Sequence, residues 1–81
     1  MKIAVRLFAA AREAVGQDIV ELHLPAAATI AELRAVLAEQ DPRLATWAAH
    51  SLFAIDAEYA SDATPIPERA DVACIPPVSG G

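Results

Sequence analysis

The chain has few of the residues that form disulfides or phosphate-binding loops. Cys74 is its single cysteine, so no disulfide can form within the chain, and we expect a reducing compartment. Its three glycines, Gly16, Gly80 and Gly81, are placed so that no glycine-rich phosphate loop is possible. We therefore expect the chain to bind no ATP by itself.

Basic residues are scarce as well, with 6 Lys and Arg against 11 Asp and Glu and a formal net charge of −5. Binding to phosphates needs an excess of basic residues, so the composition argues against nucleic-acid partners and anionic membranes. The acidic balance favours a partner with a basic docking patch. No apolar run is long enough for a signal peptide or a membrane span, and we expect a cytoplasmic protein.

The residues that are present predict a β-sheet with helices in one domain of 81 residues. A short helix at 9–15 should end at Gly16, and a longer one should begin with a capping box of Thr29 and Glu32 and end near Gln40. Residues that alternate between apolar and polar predict strands at 2–7 and 20–24, and the segments 52–56, 59–60 and 71–75 are interpreted as three further strands.

This order of elements predicts an α+β fold in which one main helix, with short helices beside it, covers a mixed sheet of four or five strands. The first and last strands would lie parallel and adjacent in the middle of the sheet, which is the β-grasp or ubiquitin-like arrangement. Residues 1–81 would form one such domain, with 76–81 as a flexible C-terminal tail. Residues 44–50 are ambiguous between a turn and a helix, with Trp47 expected in the core.

The tail has a composition that suits entry into another protein. Two prolines forbid continuation of the last strand and stiffen the approach, and two glycines without Cβ atoms can pass through a narrow channel. We interpret it as a carrier of a carboxylate that enters a partner's active site. The tail reads Pro76-Pro77-Val78-Ser79-Gly80-Gly81.

Phe8 and Ile75 are out of phase with the inward residues of their strands, so we expect them on the opposite face of the sheet. Scattered apolar surface residues are common, but a docking patch for a partner subunit is the interpretation we favour. Ile75 is the stronger candidate because it lies beside the tail. Pro76, Pro77 and the two residues that follow would extend the same docking region.

Other reactive residues have simpler explanations. Cys74 shares the inward phase of the last strand, so packing is predicted rather than a persulfide relay. His23 and His50 are expected on an exposed strand face and in a loop, with no spacing typical of a metal site. The role of Arg12 and Glu13 stays open, with a solvated helix face as the simplest interpretation, and no catalytic constellation is supported by spacing.

Two segments resemble the molybdopterin synthase small subunit, the MoaD family of ubiquitin-like sulfur carriers related to ThiS. They are 7–16, which reads LFAAAREAVG, and 71–81, which reads DVACIPPVSGG. The resemblance covers the whole chain in element order and length. Ala70 stands where many relatives have Gly, and Ser79 where many have Thr. The loop 56–69 resembles the family least.

The resemblance implies a sulfur-donating subunit that is no enzyme by itself. In this family an activating enzyme related to ubiquitin-activating enzymes uses ATP and magnesium to adenylate the terminal glycine, here Gly81, which then becomes a thiocarboxylate. The large synthase subunit holds the catalytic pocket and places the sulfur on cyclic pyranopterin monophosphate, making molybdopterin. Two carriers usually flank a dimer of large subunits. Gly80 would keep the end of the tail slender, and the chain would hold no cofactor or metal.

Other functions remain open at this point. A carrier for thiamine thiazole or another thiolation pathway would share the tail chemistry, although the length and the 8–16 motif favour the first interpretation. A ubiquitin-like modifier would form isopeptide bonds, but Lys2 is the single lysine, so chains built through internal lysines have almost no acceptors. An interaction domain without a covalent role is the remaining alternative.

Overall fold

The structure is a computed structural model that describes residues 1–77. It contains a five-stranded mixed sheet made of β1 (Lys2–Leu7), β2 (Ile19–His23), β3 (Leu52–Ile55), β4 (Glu58–Ala60) and β5 (Asp71–Ile75). The strand order is β2-β1-β5-β3-β4. β1 and β5 are adjacent and parallel, and the other neighbours are antiparallel. The predicted β-grasp fold is thus confirmed, with β5 as its middle strand.

Three α-helices accompany the sheet in the described part of the chain: α1 (Ala9–Val15), α2 (Ile30–Gln40) and α3 (Ala45–His50). A 3₁₀ turn, Pro42–Leu44, joins α2 to α3. The stretch 44–50, which was ambiguous between a turn and a helix, is therefore helical. The prediction that His50 lies in a loop is wrong, because His50 is the last residue of α3. Its side chain is exposed.

Local chemistry explains where these helices begin and end. The Gly16 N–H donates to the Arg12 carbonyl and ends α1. Gly16 adopts φ 70°, a backbone conformation that is less favourable for any residue with a Cβ. Thr29 and Glu32 form the predicted capping box, because the Glu32 N–H donates to Thr29 Oγ1 at 3.3 Å while the Thr29 N–H donates to Glu32 Oε1 at 3.2 Å.

The core lies between α2 and one face of the sheet. Cys74 is completely buried and free, as its phase predicted. Burial raises the pKa of the Cys74 thiol, which the neighbouring Ser51 hydroxyl and the Arg34 charge oppose, so the group stays a neutral thiol that packs. Trp47 is only partly buried at the edge of this core. The largest fully buried side chains include Phe53, Ile3, Leu22, Ile30, Leu33 and Leu37.

Arg34 on α2 connects three parts of the chain. Its Nη1 donates to the carbonyl oxygens of Ala48 and Ser51, at 2.7 Å each, and its Nε donates to Asp62 at 2.8 Å. The guanidinium also lies 4.8 Å from the centre of the Phe53 ring. Hydrogen bonds from a charged group to half-buried carbonyls are stronger than neutral ones. Arg34 therefore fixes the end of α3 and the start of β3.

We predict that Arg34→Met lowers the free energy of unfolding by about 2 kcal/mol, because two carbonyls lose a charged donor in a partly buried site. Arg34→Lys should restore little of this, since an ammonium lacks the planar fork. Urea denaturation measures both. Arg43→Met is the matched control: Arg43 also makes a 2.8 Å ion pair, with Asp41, but is far more exposed. Equal losses in the two variants would contradict the role of Arg34.

The turn between β3 and β4 contains two residues with left-handed backbones, Asp56 at φ 50° and Ala57 at φ 70°. Such a pair is typical of a type I′ hairpin turn, in which glycine is favoured at the second position. The Asp56 side chain accepts from the Asp71 N–H at 2.9 Å, which connects this turn to the start of β5. The alanine at the second position is therefore held in a conformation with a steric cost.

We predict that Ala57→Gly raises the free energy of unfolding by about 0.5 kcal/mol. Relief of the left-handed strain, about 1–2 kcal/mol, exceeds the added entropy of the unfolded chain. Ala63→Gly is the control, because Ala63 lies in an exposed loop and is absent from the positive-φ residues, so glycine should destabilise there. A lower urea midpoint for Ala57→Gly than for the unsubstituted protein would contradict the interpretation.

Candidate functional site: the open face of the sheet

The face of the sheet that points away from the core is called here the open face. In β1 the alternation is strict, with Ile3, Val5 and Leu7 buried and the residues between them exposed. The strand register carries the same alternation across the sheet, so that Arg6 lies beside Ile19 on one side and Ala73 on the other. The open face is therefore built from alternate residues of all five strands.

One end of the open face is apolar. All four of the large hydrophobic residues that are well exposed in 1–77 lie on it or continue it: Phe8 (44%), Ile19 (52%), Leu52 (58%) and Tyr59 (71%). Ile75, which is half-buried, lies directly opposite Leu52. An apolar patch of this kind is the usual mark of a protein interaction site.

Phe8 and Ile75 come together at the end of the two central strands. Leu7 pairs with Cys74 in the parallel register, and the Phe8 N–H donates to the Cys74 carbonyl at 3.3 Å. Phe8 keeps an extended backbone, with φ −119° and ψ 156°, so its side chain continues the alternation of β1. The predicted placement of both residues on the opposite sheet face is confirmed, while their role in docking stays a prediction.

A trough of about 340 Å³ runs between these residues. Its floor is made by two small residues, Ala54 and Ala73, which are directly opposite each other in the register of β3 and β5. Ala54 is only 6% exposed, although its neighbours on the same face stand out into solvent. The residues that line the trough are Phe8, Ala54, Ala57, Tyr59, Ala73 and Ile75.

The other end of the open face is charged but balanced. Lys2 pairs with Glu21 at 3.9 Å and Arg6 pairs with Asp71 at 3.0 Å, and all four side chains are more than half exposed. These charges cancel, so the formal net charge of −5 lies on the rest of the surface. The expectation of a partner with a basic docking patch stays a prediction.

The predicted tail is only partly within the described residues. Pro76 is buried and Pro77 is exposed, so of the two prolines only Pro77 offers its ring to a partner. The burial of Pro76 follows from its position directly after β5, where it is still part of the domain. The remaining predicted tail residues lie outside the described range: Val78, Ser79, Gly80 and Gly81.

Sequence reasoning missed most of the lining of the trough. Tyr59 was seen only as part of a short strand, and Leu52, which lies opposite Ile75 without lining the trough, only as the start of another. Both are on the open face because they pair with Ala54 and Ile75, respectively. Residues 52–55 are all apolar, so the sequence did not distinguish the two faces of this strand, and the position of Tyr59 depends on the register of an edge strand. Arg12, whose role was open, makes an exposed 3.7 Å ion pair with Asp18.

The described residues show neither a metal site nor a membrane segment. No three His, Cys, Asp or Glu side chains within 1–77 are grouped so that they could hold a metal ion. None of the helices in this range is both long enough and apolar enough to cross a bilayer.

Comparison with known proteins gives relatives for the whole chain. The molybdopterin synthase sulfur carrier subunit of Arabidopsis thaliana is 33% identical over 81 residues, which are 100% of this chain and 84% of that protein. This confirms the resemblance found in the two end segments.

Solved structures agree on the fold. Small archaeal modifier protein 1 from H. volcanii has a TM-score of 0.82 at 21% identity, over 95% of this chain and 98% of that chain. A chain from the complex of subunits 1 and 2 of the molybdopterin-converting factor from Helicobacter pylori has a TM-score of 0.70 at 22% identity, with 100% of both chains covered. At these identities the likeness supports the β-grasp fold alone.

A protein-family model also matches this chain. It is described as the ThiS family, and it matches residues 5–81, nearly the entire chain including the terminal glycines. The chain belongs to the ThiS family.

Proposed function

We propose that this protein is the sulfur carrier subunit of molybdopterin synthase and that Gly81 carries the sulfur as a thiocarboxylate. The observation that carries the proposal is the position of the apolar open face: Phe8 and Ile75 meet where β5 leads into the tail. A partner that covers this patch would receive the tail in its own active site. The 33% identity to the Arabidopsis sulfur carrier subunit supports the pathway.

The expected partner is the large subunit of molybdopterin synthase. The relative from Helicobacter pylori is in a complex of subunits 1 and 2, which supports a two-subunit assembly for this chain as well. We propose a heterotetramer in which two carriers flank a dimer of large subunits. The catalytic pocket would be on the large subunit, since the described surface of the carrier offers an apolar trough without acid, base or metal ligands.

The chemistry at the tail would proceed in steps carried out by partners. A carboxylate is a poor acyl donor, so an oxygen of the Gly81 carboxylate would first attack the α-phosphorus of ATP and release pyrophosphate. Hydrosulfide supplied by a donor would then attack the acyl carbon, the C–O bond to AMP would break, and loss of the S–H proton to solvent would leave the thiocarboxylate. An activating enzyme related to ubiquitin-activating enzymes would bind the ATP and magnesium. The carrier contributes position, since its tail places the reacting group in each active site in turn.

Mass spectrometry of the protein isolated from its own host tests this proposal. We expect a fraction whose mass increase equals the replacement of one carboxylate oxygen by sulfur, and tandem fragmentation should assign the change to Gly81. A cytoplasmic pool of this form should disappear when the activating enzyme is deleted. Protein that is entirely unmodified in a host actively making molybdopterin would contradict the proposal.

Capture of partners with an N-terminal tag, which leaves Gly81 free, separates this function from its alternatives. Recovery of the large synthase subunit and an adenylating enzyme would support molybdopterin synthesis. A thiazole synthase would indicate thiamine synthesis, and lysine-linked conjugates would indicate a protein modifier. The last outcome would agree with the fold shared with small archaeal modifier protein 1.

A further inference from the structure

The trough owes its existence to two small side chains in the middle of the sheet. Ala54 and Ala73 face each other on β3 and β5, and β5 leads directly into the tail. Tyr59 stands beside them on β4, 71% exposed, and Ile75 lies farther along β5. On a flat sheet face a pair of larger residues would fill this space. The trough is therefore open because the side chains of Ala54 and Ala73 are small.

The trough also lacks any charge of its own. Its lining side chains are apolar apart from the Tyr59 hydroxyl. Arg6, which lies beside Ala73 in the strand register, is paired with Asp71 at 3.0 Å. The carboxylate of Asp56, the chain neighbour of Ala57, accepts from the Asp71 N–H at 2.9 Å. A charged group from a partner would lose its hydration here without gaining an ion pair, which is unfavourable. Charge complementarity therefore selects an uncharged occupant.

We propose that this trough receives one uncharged apolar side chain that projects from the partner subunit, and that Ala54 and Ala73 limit its size. At about 340 Å³ the trough is large enough to take a large side chain. The inference rests on the proposed function, because the partner is taken to be the large synthase subunit. It goes further by assigning partner selection to two residues that make the floor, in addition to Phe8 and Ile75.

Ala73→Leu is the decisive variant, because a leucine at this position fills the trough from its floor. Its matched control is Ala4→Leu, which puts the same side chain on the same face of the neighbouring strand, between Glu21 and Asp71 at the charged end. Affinity for the large subunit is measured by calorimetry. We expect Ala73→Leu to weaken binding at least about tenfold and Ala4→Leu to change it less than about twofold.

Salt dependence gives a second readout on the unsubstituted protein. An uncharged contact should change its dissociation constant by less than about threefold between about 50 and about 500 mM salt. A steep loss of affinity with salt would show that ion pairs carry the binding and would overturn the inference. Unchanged affinity in Ala73→Leu, or equal weakening by the two leucines, would overturn it as well.

A measurement without the partner keeps this inference separate from the proposed function. Indole is added to the isotope-labelled chain, and the methyl signals of Ala54 and Ala73 are followed by NMR. We expect both signals to shift, while Ala4 stays unchanged, and we expect no shift at Ala54 in Ala73→Leu. If the large subunit fails to bind the unsubstituted chain, the proposed function is wrong. The indole titration still shows whether the trough binds an uncharged apolar group. Absence of any shift at the two floor methyls would overturn it.

Thermal unfolding of each variant shows whether a loss of affinity comes from a loss of folding stability. If Ala73→Leu lowers stability, Tyr59→Ala supplies the second test, since it removes a wall of the trough from a residue that is 71% exposed on the edge strand. A well-folded Tyr59→Ala should also lose at least about tenfold in affinity, because exposed aromatic residues at such sites are common hot spots. Full affinity of this variant would contradict the proposed trough.

Discussion

Addition of one alanine after Gly81 should abolish sulfur transfer while leaving the domain folded. The added residue moves the reacting carboxylate by about 3.3 Å beyond its place in the partner's active site, and a misplacement of even 1 Å can cost about a hundredfold in rate. Gly81→Ala should have an effect in the same direction, because its Cβ needs space in a channel shaped for glycine. We expect a loss of at least about a hundredfold for the extended chain.

Single-turnover sulfur transfer with the purified activating enzyme and large subunit measures this effect. Circular dichroism and thermal unfolding should be unchanged, since the variants alter no residue within 1–77. Glu39→Ala serves as the control, because Glu39 is exposed on α2, away from the open face. Normal transfer by the extended chain would refute the assignment of Gly81 as the reacting residue.

Ile75→Asp should weaken the complex with the large subunit at least about a hundredfold, which is the range of an interface hot spot. Ile75 lines the trough together with Phe8, at the end of β5, and lies opposite Leu52. In the complex an aspartate there would be buried without a cation, since the nearest charged groups of the open face are already paired. The free domain should remain folded because Ile75 is only half-buried before docking.

The comparison variant is Ile19→Asp, which places the same charge on the same face at the edge strand β2. Ile19 is 52% exposed and lies outside the trough, beside Arg6. Calorimetric titration should show a much smaller loss of affinity for it. Equal losses for the two variants would mean that binding responds to any charge on this face and that Ile75 has no special place in docking.

Much of the fold could be predicted because its signals are local. The phase of Ile3, Val5 and Leu7 identifies the buried side of β1, and the capping box at Thr29 and Glu32 marks the start of α2. The parallel pairing of the first and last strands followed from the order of the elements. The prediction that Phe8 and Ile75 lie on the open face required only the two-residue period of side chains along a strand.

The remaining features depend on contacts between distant segments. Arg34 bonds to residues that are 14, 17 and 28 positions away, so its own sequence context contains no sign of its role. The trough floor exists only because the register places Ala54 opposite Ala73. In a chain rich in alanine, those two residues have no local feature that distinguishes them. The neutrality of the open face likewise appears only when the ion pairs are known.

The central position of β5 determines how the domain responds when its tail is pulled. β5 is hydrogen-bonded to β1 on one side and to β3 on the other. A pull along the tail would load both ladders along the strand direction, so that many hydrogen bonds share the force instead of breaking one after another. If a partner draws the tail into its active site, as proposed, it would move the whole domain as a rigid body, and the domain would limit how far the tail can enter.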